Sequence, residues 1–532
     1  MSKDGLLTRR RAIATIGAAS TLLLPVRRHL AADTRLSDIA SGTVFEDRNG
    51  DARRAKGARG IPGVMVSNGV DVTLTDSDGR WSIPVQSGDH IFVITPSHWT
   101  TAGRGRSSFS YLHQPDGTPV AAKLCSPAIA PTGALPESID FPLLRQPQSQ
   151  CFEVLLFADT QAADAKELGY VRQVLLSATR GTNAVFAIHH GDAMADDLAL
   201  LPQYLNILNE TGLAWHHCPG NHDMNLDTQE TRYAFETWKR FIGPTNYAFQ
   251  YGGATFILLN NVDYLGRSYT EEGCHYRGLF GEKQLRFVSN VLRHVPPDQL
   301  IAVSMHIPLQ SFDTPDSAAN TAADRGALLK LLATRPHTVS FSGHSHTTEH
   351  HHFGRGDGFD RNVPHHHQVL TAACGSWWSG PLDSTGVPVA DSRDGTPKGF
   401  HVLSVDGNQY STRYAPFGPV ADRDMRIVVD NAGSQSVIFV DVFDGDPRTR
   451  VTYEIEGEPS SIVQLSRNGI ADPYVVEEFA RYRHMCKPWV AAAPSSHVWS
   501  GVLPHKLTSG GKTLIVRVTD KNERTLTRRQ TV

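Results

Sequence analysis

Residues 338–346 read Thr-Val-Ser-Phe-Ser-Gly-His-Ser-His, and the reading of the whole chain turns on them. Thr338 to Phe341 is a short continuous apolar run of the kind buried on both faces of a sheet. Gly343-His344-Ser345-His346 follows it directly, so two imidazoles leave the end of a buried strand. The same arrangement recurs along the chain. Val154 to Ala158, Ala184 to Ile188, Thr255 to Leu259 and Leu300 to Ser304 are further runs of this type. The polar clusters Asp159-Thr160-Gln161, Gly191-Asp192, Gly220-Asn221-His222-Asp223 and His306 each follow a strand-like segment. Helical patterns lie between some of these strands: Leu168, Val171 and Leu175 share one face, as do Leu285, Val288 and Leu292. Strands alternating with helices predict an α/β fold, with sheet sandwiched by helices. Open α/β sheets place their ligands at strand ends, where these donors sit. Taken singly, each cluster has a plainer reading: Asp159 as a helix N-cap, Asp192 as a turn, His306 as a packed strand end. Their common position after strands, in one succession, points to a single site.

Outward from this core the pattern turns to β on both sides. Residues 36–110 carry short alternating strands, among them Gly42 to Phe45, Val70 to Thr75, Trp81 to Val85 and Ile91 to Thr95, with Asp78-Gly79 and Ser87-Gly88 as turns. They predict a small β-sandwich. Val44-Phe45-Glu46-Asp47-Arg48-Asn49-Gly50-Asp51 resembles the start of prealbumin-like surface modules; Asp47, Asn49 and Asp51 offer oxygens, but the basic residues that follow favour a plain turn over a Ca²⁺ loop. Residues 111–150 read as a linker, residues 151–418 as the α/β domain and residues 419–532 as a second β domain. The first 35 residues differ from the rest. Arg9, Arg10 and Arg11 precede an apolar run from Ala12 to Leu24 that is too short for a ~30 Å hydrocarbon core. This resembles a twin-arginine export signal, without a clean Ala-x-Ala cleavage site, and predicts a periplasmic or extracellular protein. No other apolar stretch is long enough to span a membrane.

Composition narrows the function classes. The 532 residues carry 51 Lys plus Arg against 54 Asp plus Glu, a net charge of −3, so no basic field supports stable nucleic-acid binding. Six Cys without a CxxC exclude a disulfide-stapled scaffold and thiolate zinc knuckles. The excess is in His, 25 residues, which directs attention to metal or phosphate chemistry.

The clusters from Asp159 to His346 resemble the calcineurin-like metallophosphoesterases, whose pattern is Asp-x-His, Gly-Asp, Gly-Asn-His-Asp/Glu, a lone His and Gly-His-x-His. Ala373 to Gly380 and Asp394 to Gly399 resemble an exported bacterial subgroup with extra N- and C-terminal β domains. The resemblance implies a β-sandwich core flanked by helices and two divalent metal ions, Mn, Fe or Zn. Asp159, Gln161, Asp192 and His346 would hold the first ion; Asp192, Asn221, His306 and His344 the second, with Asp192 bridging. Two ions held close lower the pKa of bound water and clamp phosphoryl oxygens. His222 would donate a proton to the leaving group, oriented by Asp196, Asp197 or Asp223. Gln161 stands where the family has His, and a neutral amide oxygen is the weaker ligand. The expected activity is hydrolysis of a phosphoester, preferentially a diester, by attack of metal-bound hydroxide. Its substrate class would be a nucleotide, a glycerophosphodiester or an envelope phosphodiester. The competing expectations are a phosphomonoesterase and a degenerate cell-surface binding protein.

Several residues stay outside that scheme. His350-His351-His352 and His365-His366-His367 read as a solvated hairpin linking two strands, or, since alternate strand residues share a face, as lending one or two imidazoles to the site. His216 and His217 read as strand residues. Trp377 and Trp378 are suited to core or interface packing, or to stacking on a base or sugar. Cys274 and Cys374 are available to pair in an oxidising compartment, although spacing does not establish it.

Overall fold

The computed structural model describes residues 38–101, 109–267, 275–418, 423–458, 462–504, 506, 511–521 and 523–532. The expected export signal and Cys274 lie outside the described residues.

The α/β region is built on two facing sheets. In one, the strands Ala214–Cys218, Phe186–His190 and Cys151–Phe157 run parallel, and Gly399–Asp406 and Gln409–Pro416 continue the sheet antiparallel. In the other, Ala254–Leu258, Leu300–Ser304, Thr338–Ser342 and His365–Val369 run parallel, with Tyr247–Tyr251 and Glu349–Phe353 antiparallel at the two edges. The period-two alternation of a strand explains how each apolar run serves two faces. Val154, Leu156, Phe186 and Ile188 enter the space between the sheets and meet Phe256, Leu258, Val303 and Phe341. Leu155, Phe157 and Ala187 point the other way. They are covered by Leu168, Val171 and Leu175 of the helix Ala165–Thr179 and by Leu201 and Tyr204 of the helix Leu201–Glu210. Helices Gly281–His294 and Arg325–Leu332 supply Phe287, Val288, Val291, Leu328 and Leu329 to the core on the second sheet's side. The α/β expectation, with a sandwich core flanked by helices, matches this architecture.

The flanking β regions are sandwiches as well. The first pairs a sheet of Arg80–Val85, Asp38–Glu46, Phe141–Arg145 and Trp99–Thr101 with one of Val72–Leu74, Met65–Ser67, Asp89–Ile94 and Ser110–His113. Here residues 111–150 depart from the linker expected of them. Phe141–Arg145 runs parallel to Val44–Glu46, and its Phe141 and Leu143 are buried in the sandwich core. The strand was hidden because it is short, carries Pro142, and follows irregular Pro- and Ser-rich chain. Asp47 forms the plain turn: its carboxylate accepts the amides of Asn49, Gly50 and Ala52, which uses the oxygens a Ca²⁺ loop needs.

The second sandwich is centred on Ile438, Val440, Val451, Tyr453, Trp499, Leu514 and Val516. It is not wholly β. The helix Pro473–Arg481 interrupts it, started by Pro473 and by Asp472, whose side chain accepts the Tyr474 amide. This sandwich is bolted to the α/β region beside the strand ends. His497 bridges Asp441 Oδ1 at 2.6 Å and Asp394 Oδ2 at 2.9 Å, with all three side chains buried. Arg426 reaches Asp391 and Asp472.

Candidate metal centre

Every donor singled out in the sequence leaves the C-terminal end of a parallel strand. Asp159 and Gln161 follow Cys151–Phe157, Asp192 follows Phe186–His190, and Asn221 and His222 follow Ala214–Cys218. From the second sheet, His306 follows Leu300–Ser304, while His344 and His346 follow Thr338–Ser342. Parallel pairing puts the ends of each sheet on one edge, so residues distant in sequence meet. The turns are tight. Asp159, Gln161, Asp192, His344 and His346 all have positive φ, between 33° and 80°. Side-chain-bearing residues rarely adopt that region, and each instance costs about 1–3 kcal/mol, so such clustering marks a site the fold constrains. Two glycines make the crowding possible. A Cβ on Gly220 would lie 2.1 Å from Asp192 Oδ1, and one on Gly343 would lie 2.4 Å from Asp159 Oδ2.

The hydrogen bonds around the imidazoles fix which nitrogen carries a lone pair. His306 Nδ1 is 2.8 Å from the His190 carbonyl, which accepts its proton and leaves Nε2 bare. That Nε2 faces Asn221 Oδ1 at 3.0 Å, His344 Nδ1 at 3.2 Å and Asp192 Oδ2 at 3.3 Å. His344 Nε2 is held by Asn320 Oδ1 at 2.9 Å, so its Nδ1 is also bare. With neutral imidazoles four acceptors thus converge with no proton between them, a conflict that a proton on His306 or a metal cation resolves. The same holds on the other side. His346 Nδ1 donates to the Gly375 carbonyl at 2.6 Å, which aims the Nε2 lone pair at Asp159 Oδ1, 3.8 Å away. Trp377 stacks on this imidazole with centroids 4.0 Å apart and fixes its plane.

Charge tells the same story. Burial, reinforced by Asp192, outweighs the pull of His306 and pushes the Asp159 carboxyl up to about 7. Burial opposes ionisation of Asp192 too, but the facing His306 and His222 hold its carboxyl well below the usual range. Burial alone would lower His306, yet Asp192 and Asp159 raise it to about 9. A buried carboxylate pair neutralised only by proton sharing is a ready site for cations. The residues present therefore fit divalent metal ions, with oxygen and imidazole donors suited to first-row metals.

Gln161 is the exception in orientation. Its Nε2 donates to Asp192 Oδ2 at 2.9 Å, while Oε1 faces Cys374 Sγ at 3.9 Å. To act as the ligand expected, its amide must turn over so that the oxygen faces inward.

His222 stands at the rim. Its amide donates to Asp192 Oδ1 at 2.9 Å, and its Nδ1 lies 2.7 Å from Asp196 Oδ1. Of the three carboxylates considered for orienting it, Asp196 makes the contact. Asp223 instead accepts the Ala193, Met194 and Gly220 amides, tying the two loops together, and Asp197 accepts the Ala199 amide. Burial pulls the His222 imidazole down, but Asp192 and Asp196 more than reverse this and raise it to about 9. With Nδ1 committed to Asp196, Nε2 is left to serve as a proton donor.

Several supporting residues had no signal in the sequence. Asn320 and Asn261, whose Oδ1 accepts the His306 and Ile307 amides, lie in irregular segments. The Trp pair divides: Trp378 is core, its Nε1 donating to the Thr160 carbonyl at 2.9 Å, and Trp377 props His346. Cys374 is a free, buried thiol whose pKa burial pushes up well above the usual value. His216 and His217 lie in a strand, as read. The two His triplets do not form a solvated hairpin. They occupy the paired strands Glu349–Phe353 and His365–Val369, and His350, His365, His366 and His367 are buried. Hydroxyls and carboxylates satisfy them: Ser340 and Thr338 hold His365, for example. Polar runs of this kind carry no sequence mark of burial.

Among the described residues, no helix is long and apolar enough to cross a membrane. No curated protein matches the chain. Among solved structures, a purple acid phosphatase, PPD1, from yellow lupin (Lupinus luteus) seeds shares 12% identity over 71% of each chain, with a TM-score of 0.37. A beta-glycosidase from Bacteroides vulgatus shares 10% identity over 88% of this chain and 74% of its own, with a TM-score of 0.18. Neither likeness is close enough to argue from. The family models are decisive. The calcineurin-like phosphoesterase model matches residues 152–348, the model of the N-terminal region of such proteins matches residues 48–120, and that of the C-terminal region matches residues 367–526. With these three matches laid end to end along a fold whose strand ends gather the metal donors, the chain belongs to the calcineurin-like phosphoesterases and is a metal-dependent phosphoric ester hydrolase.

Proposed function

We propose that the protein is an exported phosphodiesterase working with two divalent ions. One would be held by Asp159, His346 and Gln161 once its amide is turned, the other by Asn221, His306 and His344, and Asp192 would bridge. Bound there, such ions polarise water and neutralise phosphoryl charge. The chain's own contribution beyond ligation is His222, and its setting carries the hydrolytic reading, while the commitment of Arg393 carries the diesterase preference. A phosphate ester, mono or di, expels an alkoxide, which needs a proton. His222 is at the rim, charged by its carboxylate neighbours, with Nε2 uncommitted. Arg393, which approaches beside Ser345, is committed to Asp313 and to the Ser345 and Ala491 carbonyls instead of being free to clamp a phosphomonoester dianion. The Arg9–Arg11 stretch and the apolar run after it support export.

The donors accommodate Mn, Fe or Zn, and metal analysis of the purified chain names the pair. The activity test compares an alkyl phosphodiester with the matching monoester. The diester is expected to be the faster substrate, with Asp192→Ala abolishing both activities. A faster monoester overturns the diesterase reading, and equal negligible rates for wild type and Asp192→Ala overturn hydrolysis altogether. Nucleotide, glycerophosphodiester and envelope diester substrates are the arms of the ensuing screen.

A further inference from the structure

The catalytic centre does not account for the His triplets. In the antiparallel pair Glu349–Phe353 and His365–Val369, His352 faces His366 and His350 faces Gln368. Alternation puts these four side chains on one face, where the C-terminal sandwich lays its segment carrying Asp444 and Asp446. The set shares no residue with the catalytic donors. His366 is the second residue of its strand, whereas those donors follow the opposite ends of strands parallel to it, roughly 10 Å further along.

The hydrogen-bond pattern here repeats that of the catalytic centre. His350 Nε2 donates to Asp444 Oδ1 at 2.9 Å, which leaves Nδ1 as a lone pair. His366 Nδ1 is 2.9 Å from the Tyr410 hydroxyl, and its Nε2 points at His350 Nδ1 from 2.8 Å. A carboxylate behind one imidazole and a hydroxyl behind the other is how metal-binding histidines are oriented. Ligand atoms of His350, His366 and Asp446 all lie within 4.8 Å of one another, and all three residues are buried.

Arg448 reaches Asp446 Oδ1 with its amide and Nε and Oδ2 with its Nη2, so only the side of Oδ2 toward His352 is open to exchange. His352 Nε2 lies 2.8 Å from Asp446 Oδ2 and 3.0 Å from Arg448 Nη2. One nitrogen cannot donate to the first and accept from the second, so Oδ2 retains a lone pair if His352 serves the arginine. The carboxylate behind His350 is held from a further side: His401 is wholly buried, with its Nε2 3.4 Å from Asp444 Oδ1.

We propose that His350, His366 and Asp446 form an additional, structural site for a divalent transition metal of the Zn²⁺ class, which ties the C-terminal sandwich to the catalytic sheet. Two imidazoles and a carboxylate from three separate segments suit such an ion. The ion would replace the proton between His350 and His366 and share Asp446 with Arg448.

The test is metal stoichiometry on the full chain after Zn²⁺ loading and dialysis. Asp192→Ala, which disables the catalytic set, is expected to retain one zinc per chain. His366→Gln and His350→Gln are each expected to bind one zinc fewer than wild type while keeping phosphoesterase activity. In the Asp192→Ala chain, Co²⁺ is expected to give the intense visible bands of a low-coordinate site, absent from the Asp192→Ala/His366→Gln chain. Tyr410→Phe should weaken zinc binding about 10–100-fold without abolishing it. Zinc-free Asp192→Ala protein, or an unchanged zinc count in His366→Gln, overturns the proposal and leaves a hydrogen-bonded interface only. Should the His366 and His350 variants fail to fold, a chain with Asp192, His306, His344 and His346 all replaced by Ala decides: one retained zinc supports the proposal and none overturns it.

Discussion

Asp196→Asn separates the proton-donor role proposed for His222 from the metal site proposed beside it. The carboxylate lies 2.7 Å from His222 Nδ1, and the substitution keeps the shape while removing the charge. A hydrogen bond to a charged group is worth about 1.5–3 kcal/mol when shielded. Here the side chains of His222 and Asp196 are 35% and 54% exposed, so solvent screening brings the interaction to about 1 kcal/mol. At 1.36 kcal/mol per unit, that is about 0.7 pKa unit. Asp192 also raises His222, but its charge is shared with the ions of the loaded enzyme, whereas that of Asp196 is not. The acid form of His222 exists below its pKa and is lost as pH rises through it. Asp196→Asn should therefore move the alkaline limb of the pH–rate profile down by about 0.7 unit on an alkyl diester, a loss of roughly fivefold on that limb. On a nitrophenyl diester, whose leaving group departs without a proton, the limb should stay in place. His222→Ala should cost about 10²–10⁴-fold on the alkyl diester and far less on the nitrophenyl one. An unmoved alkaline limb in Asp196→Asn, or equal losses on the two substrates, refutes the assignment.

Other perturbations probe the frame around the proposed metal ions. Gly220→Ala forces a methyl to within 2.1 Å of Asp192 Oδ1, so metal affinity should fall by at least about 10–100-fold in a binding titration. Trp377→Ala removes the ring stacked 4.0 Å from His346; a loss of about tenfold in affinity for the first metal is expected, with recovery in Trp377→Phe. His497→Gln strips the cation from two buried carboxylates and should cost about 3–5 kcal/mol in urea unfolding at neutral pH. Burial opposes the charge of His497, but Asp441 and Asp394 raise it well above the ordinary value; burial likewise opposes the charge of Asp394, and His497 holds it low. The stability His497 contributes is thus complete below the ordinary histidine pKa and fades as pH rises through its raised value. That of Asp394 is complete above the ordinary carboxylate pKa and fades as pH falls through its depressed one. The difference between wild type and His497→Gln should therefore be smaller at pH 4, where the variant's carboxylates take up protons, than at pH 7.

The sequence by itself determined the α/β core and the identity of the donors. Runs such as Val154 to Ala158 and Leu300 to Ser304 have no polar face, which leaves burial between two layers as their stable state. A polar cluster right after such a run must sit at a sheet's edge. Hence local order placed Asp159, Asp192, Asn221, His222, His306, His344 and His346 at strand ends, and the family resemblance named them as donors. What tertiary structure decided is how each donor is aimed, because aim depends on groups remote in sequence. The His190 and Gly375 carbonyls and Asn320 select the free nitrogen of each imidazole. Asp196 is chosen over Asp197 and Asp223 by where the loops cross. Likewise the strand Phe141–Arg145 exists because Asp38–Glu46 lies ready to pair with it, and the His triplets are buried because a second sandwich covers them. Apolar periodicity records which side of a strand faces a core. It holds no record of which distant hydroxyl, carbonyl or carboxylate will meet a polar side chain there, and in this protein those meetings set the chemistry.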